Sequence, residues 1–326
     1  MSSSNCHMGI SIYCGSANPS LAADVAHRLQ LEPAKRKLRR FADGETHVQL
    51  EQSVRGQDVF VVQSTSPPVN EHLMELLIMV DAIRRAGAGR LTAIIPYYGY
   101  ARQEKKSTGR EPITARLVAD LLTTAGVQRV VSIDLHSPAI QGFFNVGMDH
   151  LTAVPIVAEY LLRRSRPESV IVSPDTGRVK LAEKYSQALE LPLVVLHKER
   201  SESGQAAIRA VIGEVRDRAP IIVDDMIATG GTIVEAVEAL LGAGARRDIT
   251  VAATHPVLVG QAVERLSHPA IREVVVCDTI PVPDEKRWTN LAVLSVADLL
   301  AATVYRLNRN ESISALFGPP RARHHV

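Results

Sequence analysis

Aromatic side chains are scarce in this sequence of 326 residues, at 4% of the total, with one Trp and five Phe. Single-stranded nucleic acids are commonly held by stacking on aromatic rings, so this scarcity argues against that class of binding protein. Positive charge is not in excess either, because the formal net charge is +2. Nucleic acid is therefore not an expected partner, and any affinity for polyanions must come from local sites.

Cysteine and long apolar runs are also lacking. Cys6, Cys14 and Cys277 are odd in number and have no CxxC spacing, which argues against a disulfide framework or a zinc site and favours a reducing cytoplasm. The opening MSSSNCHMGI has neither the basic nor the apolar region of a signal peptide. No uninterrupted apolar run approaches the roughly 20 residues of a membrane helix. We therefore expect a cytoplasmic protein with no membrane partner.

The length and the pattern of the sequence predict two α/β domains. The chain is long enough for about two domains of roughly 150 residues. Short runs that are apolar on both faces, as in buried parallel strands, lie at 10–13, 59–63, 91–96, 129–133, 170–172, 193–196, 221–223, 249–252 and 273–276. Amphipathic helical patterns alternate with them at 20–30, 70–85, 113–124, 155–162, 178–189, 232–241 and 296–307.

This alternation of strands and helices is typical of doubly wound parallel sheets. We place a first domain at 1–152 and a second at 153–317, with the boundary near the stretch GFFNVGMDH. A polar, Pro-rich tail at 318–326 is expected to be disordered.

The segment VDDMIATGGT, at 223–232, indicates a binding site. The predicted strand at 221–223 leads into Asp224 and Asp225, and the next predicted helix begins at Thr232, after Ala228, Thr229, Gly230 and Gly231. Ligands of open α/β sheets bind at the carboxyl ends of strands. Glycines and a helix N-terminus let backbone N–H groups approach a phosphate. Carboxylates beside such a cradle suit a sugar phosphate, because they accept hydrogen bonds from ribose hydroxyls.

Another interpretation of this segment is structural. A Gly-rich turn in which Thr232 or Asp225 caps the following helix has the same composition. Two adjacent acids at a strand end are nevertheless costly without a partner. A nucleotide P-loop is excluded, because the segment has no GxxxxGK[ST] pattern.

Two segments of the first half add candidate residues. Asp43, Gly44 and Glu45 follow Phe41 in FADGETHVQL, where they form either a simple turn or part of a site. The stretch IPYYGYARQEKK places Arg102 and Gln103, followed by two lysines, after a predicted strand. These cations belong either to a solvated face or to a polyphosphate site at the strand's carboxyl end.

Candidate metal ligands follow two predicted strands. Asp134 and His136 end the strand at 129–133, where the histidine is either a core residue held by a carboxylate or a ligand beside it. Asp175, in the loop SPDTG after the strand at 170–172, is a candidate for the same ion. Carboxylates that share an ion with nucleotide phosphates are typical of Mg²⁺ sites.

A basic segment ends the predicted strand at 193–196. Lys198 and Arg200 lie in HKER, which leads into SESGQ, a composition suited to a mobile loop. Cations on such a loop would stabilise the charge of a phosphoryl-transfer transition state.

Taken together, these segments resemble the ribose-phosphate pyrophosphokinase (phosphoribosyl-pyrophosphate synthetase) family. FADGETHVQLEQSVRG, IPYYGYARQEKK, IDLHSPAIQGFF, HKER and VDDMIATGGT occur in the order and at the spacing of that family, and the resemblance covers about 10–317. A phosphoribosyltransferase would resemble only the second half. The resemblance implies two domains of phosphoribosyltransferase-like type and a homo-oligomer, commonly a hexamer.

The resemblance also implies the reaction and the roles of the residues. Diphosphate would pass from ATP to the 1-hydroxyl of ribose 5-phosphate, with Mg²⁺ as cofactor. Lys198 and Arg200 would be catalytic, and Arg200 would also contact ribose 5-phosphate. The ATP-binding residues would be Asp43, Gly44, Glu45, Arg102, Gln103 and His136. Ribose 5-phosphate would bind to Asp224, Asp225, Ala228, Thr229, Gly230, Gly231 and Thr232. The metal would be held by His136, Asp175 and Asp134.

Departures from the family pattern leave two hypotheses open. Ala228 stands where the family usually has a third aspartate, and Arg178 stands where a second glycine is usual. The stretch SESGQ lacks the usual basic, Pro-containing sequence. Arg178 either blocks the close approach of a diphosphate or replaces backbone donors with a cation. The chain is then an active synthetase with altered kinetics, or a weakly active or inactive regulatory subunit. A phosphoribosyltransferase or a sugar-phosphate-sensing regulator is a more distant alternative.

Overall fold

The chain folds into two compact units, each with its own mainly parallel sheet. The computed structural model describes residues 9–200 and 206–317. Of these, residues 9–152 and 295–317 form the first unit, and residues 153–294 form the second. The predicted α/β fold is confirmed. No helix in these ranges is both long enough and apolar enough to span a bilayer.

The first unit contains a five-stranded parallel sheet and a separate hairpin. Its strands are β1 Ile10–Cys14, β2 Arg36–Arg40, β3 Thr46–Leu50, β4 Asp58–Val62, β5 Arg90–Ile95, β6 Arg129–Ile133 and β7 Gly147–Leu151. The sheet order is β1-β4-β5-β6-β7, and β2 pairs with β3 in antiparallel fashion. The helices are α1 Pro19–Arg28, α2 Val69–Arg85 and α3 Thr114–Ala125.

Apolar periodicity explains these elements. All five residues of β4 are buried, as expected for a strand with neighbours on both sides. In α2, Leu76, Met79, Val80 and Ile83 are buried at the spacing of one helix face. The carboxyl ends of β5 and β6, which are adjacent in the sheet, therefore lie side by side.

The second unit is built on a seven-stranded sheet. Its strands are β8 Ser169–Ser173, β9 Leu193–Arg200, β10 Ala206–Ile212, β11 Ala219–Ile227, β12 Ile249–Pro256, β13 Ile271–Cys277 and β14 Leu291–Leu294. Its helices are α4 Val154–Leu162, α5 Val179–Leu189, α6 Gly231–Gly242 and α7 Ala262–Leu266. The sheet order is β10-β9-β8-β11-β12-β13-β14, and only β10 runs antiparallel to its neighbour.

The order of strands reverses between β8 and β11. From β8 the chain proceeds to β9 on one side, and from β11 it proceeds to β12 on the other. This is the switch point of a doubly wound sheet, where a crevice opens at the carboxyl ends of the strands and ligands bind. The loops after β8 and β11 therefore flank the candidate site of this unit.

The last helix belongs to the first unit, which differs from the predicted second domain at 153–317. This helix, α8 Ala297–Asn308, packs against α1. The Asn308 side chain donates a hydrogen bond of 3.0 Å to the buried Asp58 carboxylate, and Arg90 donates to the Asn308 carbonyl at 2.9 Å. These polar contacts hold α8 on the first unit.

Several strands are longer than predicted, and two of these extensions bear on the candidate site. β11 continues through Asp224 and Asp225 to Ile227, because its ladder with β12 runs on to the pair Ile227–Pro256. β9 continues to Arg200, because β10 pairs with it as far as Ala206. The mobile loop expected at 201–205 lies outside the described residues.

Candidate functional site

The edge of β11 that faces β8 opens just before the acidic pair. Pairing with β8 ends at Ile222–Val172, whereas pairing with β12 continues beyond it. The backbone of β11 from Val223 onward thus borders the switch-point crevice. Asp224 and Asp225 are the next two residues and extend this border.

The two carboxylates are largely shielded from water. The exposed fraction of the side chain is 13% for Asp224 and 5% for Asp225. The Asp225 N–H donates to Asp224 Oδ1 at 2.8 Å. Burial raises the pKa of Asp224 well above its usual range and the Asp225 charge raises it further, while Arg178 acts in the opposite direction. Such a pair of shielded acceptors is suited to hydrogen-bond donors such as sugar hydroxyls.

Arg178 is the partner that two adjacent buried acids require. Its Nε lies 3.4 Å from Asp224 Oδ1 and 3.3 Å from Asp225 Oδ1. Sequence analysis singled out this position as a departure from the family pattern but did not predict the contact. The contact joins residues 46 and 47 positions apart, and only the adjacency of β8 and β11 brings them together.

Asp175 organises the loop after β8. It caps the short 3-10 turn Thr176–Arg178, and its Oδ1 accepts hydrogen bonds from the N–H groups of Gly177 at 2.8 Å and Arg178 at 3.1 Å. Both bonds use one carboxylate oxygen, and the residue is only half-buried. The role predicted for Asp175 as a metal ligand remains a prediction.

The glycine segment forms the N-terminus of α6. Gly230 is the N-cap residue, with a φ of 74°, and no side chain caps the helix. The structural alternative, in which Thr232 or Asp225 is the cap, is therefore wrong. A Cβ at Gly230 would lie 3.3 Å from Arg265 Cβ, and Arg265 also donates to the Thr229 carbonyl at 2.9 Å. The first-turn N–H groups of α6 form the kind of cradle that binds phosphate.

Arg265 was missed by sequence reasoning. It lies on α7, an unpredicted helix of five residues, and fixes the backbone at Thr229. Ala228, by contrast, is anchored through its carbonyl, which accepts from Val259 N–H at 2.9 Å. No motif in the sequence pointed to either contact, because they join residues 36 and 31 positions apart.

In the first unit, Arg102 and Gln103 lie in the loop after β5 and are exposed. The Gln103 carbonyl accepts from Ala115 N–H at 3.2 Å, and its side-chain oxygen accepts from the Thr114 hydroxyl at 2.6 Å. These bonds tie the loop to the start of α3. The preceding turn needs Gly99, because a Cβ there would lie 2.5 Å from the Thr65 carbonyl oxygen.

Asp134 and His136 follow β6, the strand that pairs with β5 in the sheet. Asp134 is buried and its backbone is left-handed, with a φ of 38°. Its N–H donates to the Leu151 carbonyl at 2.9 Å. His136 is half-buried. Arg102 and Gln103 thus lie in the loop that follows β5, and Asp134 and His136 follow β6, whose carboxyl end is adjacent to that of β5 in the sheet.

Asp43, Gly44 and Glu45 form the exposed turn of the β2–β3 hairpin. Asp43 Oδ1 accepts from Glu45 N–H at 3.1 Å, and Gly44 has a φ of 95° that suits glycine. These residues therefore do form a turn, and their role in binding ATP remains a prediction. Lys198 and Arg200 lie in β9 by their backbone, but their side chains lie outside the described part of the chain.

A preformed metal centre is not found where the structure is described. Within residues 9–200 and 206–317, no group of three or more His, Cys, Asp or Glu side chains is placed to hold a metal ion. Mg²⁺ commonly keeps several waters and takes one or two carboxylates with substrate phosphates. The donor chemistry of Asp175 fits such an ion.

Comparisons with known proteins identify the family. Residues 10–126 match the N-terminal domain of ribose phosphate pyrophosphokinase, and residues 205–318 match the phosphoribosyl synthetase-associated domain. A ribose-phosphate pyrophosphokinase of Caldanaerobacter subterraneus subsp. tengcongensis is 48% identical over 309 residues, which cover 94% of this chain and 98% of that protein. One of Bacillus subtilis is 45% identical over 308 residues, with coverage of 94% and 97%.

A solved structure agrees with this assignment. The phosphoribosylpyrophosphate synthetase from Mycobacterium smegmatis superposes with a TM-score of 0.88 at 47% identity, covering 93% of this chain and 99% of that one. The match extends over both units rather than the second alone. The chain therefore belongs to the ribose-phosphate pyrophosphokinase family.

Proposed function

We propose that this protein transfers diphosphate from ATP to the 1-hydroxyl of ribose 5-phosphate, forming phosphoribosyl pyrophosphate and AMP. The observation that carries the proposal is the pairing of Asp224 and Asp225 with an uncapped helix start at the switch point of the second unit. Curated relatives that carry this activity in their names match nearly the whole chain. The alternative of an inactive regulatory subunit is not favoured by these matches.

The second unit would bind ribose 5-phosphate. Asp224 and Asp225 would accept hydrogen bonds from ribose hydroxyls, and the N–H groups of the α6 first turn would hold the 5-phosphate together with the hydroxyls of Thr229 and Thr232. The 1-hydroxyl oxygen would form a bond to the β-phosphorus of ATP as the bond from that phosphorus to the AMP oxygen breaks. Holding both substrates in line would supply much of the rate.

The first unit would bind ATP. Arg102 and Gln103 lie in the loop after β5, and His136 follows β6 at the same sheet edge, where a polyphosphate can meet cations and hydrogen-bond donors. Asp43, Gly44 and Glu45 would contribute from the exposed β2–β3 turn. These assignments are supported by position and by resemblance to the family.

Mg²⁺ is the proposed cofactor. The candidate ligands are Asp175 of the second unit and His136 and Asp134 of the first, each of which could hold an ion together with phosphate oxygens, and the ion would neutralise charge on the transferring diphosphate. Lys198 and Arg200 would stabilise the same charge from β9, and Arg200 would also contact ribose 5-phosphate.

A homo-oligomer is the proposed assembly, hexameric by resemblance. Leu117 and Leu121, one turn apart on α3, are 55% and 40% exposed, and Ile113 before them is 37% exposed. Such an apolar stripe on the first unit suits contact with another copy of the chain.

One assay tests the activity. Purified protein with ATP and Mg²⁺ is expected to release AMP only when ribose 5-phosphate is present. Lys198→Ala should reduce the rate of AMP formation by several orders of magnitude if it stabilises the transition state. Wild-type protein that forms no AMP above background, and behaves like Lys198→Ala, would refute the proposed activity.

A further inference from the structure

Arg178 reaches across the switch-point crevice of the second unit. Its backbone is fixed on the β8 side, where its N–H donates to Asp175 Oδ1 at 3.1 Å. Its Nε lies 3.4 Å and 3.3 Å from the carboxylates of Asp224 and Asp225 on β11. The exposed fraction of the Arg178 side chain is 16%. One guanidinium thus bridges the loop after β8 and strand β11 across the crevice.

This contact is unlike a surface ion pair. All three side chains are mostly shielded from water, so the charges interact strongly and their separation would leave two adjacent carboxylates without compensation. Removing one partner of a buried ion pair costs more than a single hydrogen bond from a sugar hydroxyl contributes. A sugar that displaced Arg178 would therefore lose more than it gained.

We infer that Arg178 stays in place when ribose 5-phosphate binds, and that it is a positioning residue for the substrate's hydroxyls. Its single positive charge offsets part of the charge of the two carboxylates and fixes their position, so that their remaining lone pairs face the substrate as acceptors. Each ionised carboxylate has about four acceptor sites, so contact with one nitrogen leaves capacity for a hydroxyl. The positive charge of Arg178 also raises the local electrostatic potential, which favours binding of an anionic sugar phosphate. This inference rests on the proposed function.

Steady-state kinetics of the full-length chain provide the test. Arg178→Gln should raise the KM for ribose 5-phosphate about tenfold or more, as expected for the loss of a charged contact, and leave the KM for ATP within about twofold. Arg178→Lys restores the charge without the planar geometry of the guanidinium, so its KM for ribose 5-phosphate should lie between the values of wild type and Arg178→Gln. Arg163→Gln, which removes an exposed arginine paired with Glu159, is the matched control and should match wild type.

A double variant separates positioning from general damage to the fold. If Arg178 acts through the carboxylates, the effect of Arg178→Gln should be smaller in an Asp225→Asn background than in wild type, because the contact with Asp225 is already lost there and only the contact with Asp224 remains. Additive effects would show that Arg178 acts elsewhere and would overturn the inference. Should Arg178→Gln fail to fold, Arg178→Lys carries the test, and a KM at or below the wild-type value would overturn it.

The inference and the proposed function fail in different ways. A lower KM for ribose 5-phosphate in Arg178→Gln would mean that the arginine competes with the sugar, which contradicts the inference while the activity stands. Wild-type protein without ribose 5-phosphate-dependent AMP formation would contradict the proposed function itself.

Discussion

Ala228 is the residue whose replacement tests how complete the ribose 5-phosphate site is. It follows β11 directly, and its carbonyl is anchored by Val259 N–H at 2.9 Å, so a longer side chain would extend from a fixed backbone. We expect Ala228→Asp to lower the KM for ribose 5-phosphate or raise kcat by about tenfold, because a carboxylate adds a charged hydrogen bond. Ala228→Asn controls for size without charge. Identical kinetics in all three proteins would show that a third carboxylate has no role here.

Asp224 gives the second unit a pH-dependent stability. Its pKa is raised in the folded protein, so between the ordinary aspartate pKa of about 3.9 and the raised value the folded state binds more protons than the unfolded state. The free energy of unfolding therefore falls as pH rises through that window. Urea denaturation at several pH values should show this slope in wild type and a smaller one in Asp224→Asn.

The exposed Asp284 provides the control for that measurement. Its side chain is fully exposed, so Asp284→Asn should leave the pH dependence of the wild type in place. A slope that is the same in Asp224→Asn and in Asp284→Asn would contradict the assignment to Asp224.

The helix α8 shows how an element far along the chain completes the first unit. Asn308 donates to Asp58, which is 1% exposed, at 3.0 Å. Asn308→Ala should lower the free energy of unfolding by about 1–3 kcal/mol, because it leaves a buried carboxylate with one bond fewer. Asn145→Ala, which alters an exposed asparagine of the same unit, should change it by less than about 0.5 kcal/mol. If chemical denaturation shows the same loss of unfolding free energy in both variants, this account is contradicted.

Elements with apolar periodicity were predictable from the sequence, and elements set by tertiary pairing were not. The predicted strand at 129–133 coincides with β6, and α2 and α5 were placed to within one residue. The hairpin β2–β3 was missed, because RKLRR has no apolar face. The extension of β11 through two aspartates was missed because a ladder with β12, not local composition, keeps those residues extended.

The candidate site was predictable in its parts but not in its contacts. Motifs placed Asp175, Asp224 and the glycine segment after strands, and the strand order of the second unit brings those strand ends together. The ion pair of Arg178 with both aspartates depends on which strands are neighbours and on the direction of a long side chain. Neither is encoded in local sequence pattern.

At the scale of the whole molecule, the apolar stripe of Leu117 and Leu121 predicts how copies of the chain associate. Other residues of α3, namely Ala115, Val118, Ala119 and Leu122, are buried in the first unit, so the stripe is the face that its own core does not use. Burying apolar surface stabilises association by roughly 25 cal/mol per Å². Placing charge there should therefore weaken assembly.

The double variant Leu117→Glu/Leu121→Glu should sediment as a smaller species in sedimentation velocity. The separated species should still unfold in a cooperative thermal transition. Glutamate retains helix propensity, so the change acts on the surface rather than on α3 itself. Leu162→Glu is the matched control, because Leu162 is a comparably exposed leucine, at 52%, at the end of α4. A double variant that sediments like wild type, or a control that dissociates equally, would show that the stripe is not the contact between copies.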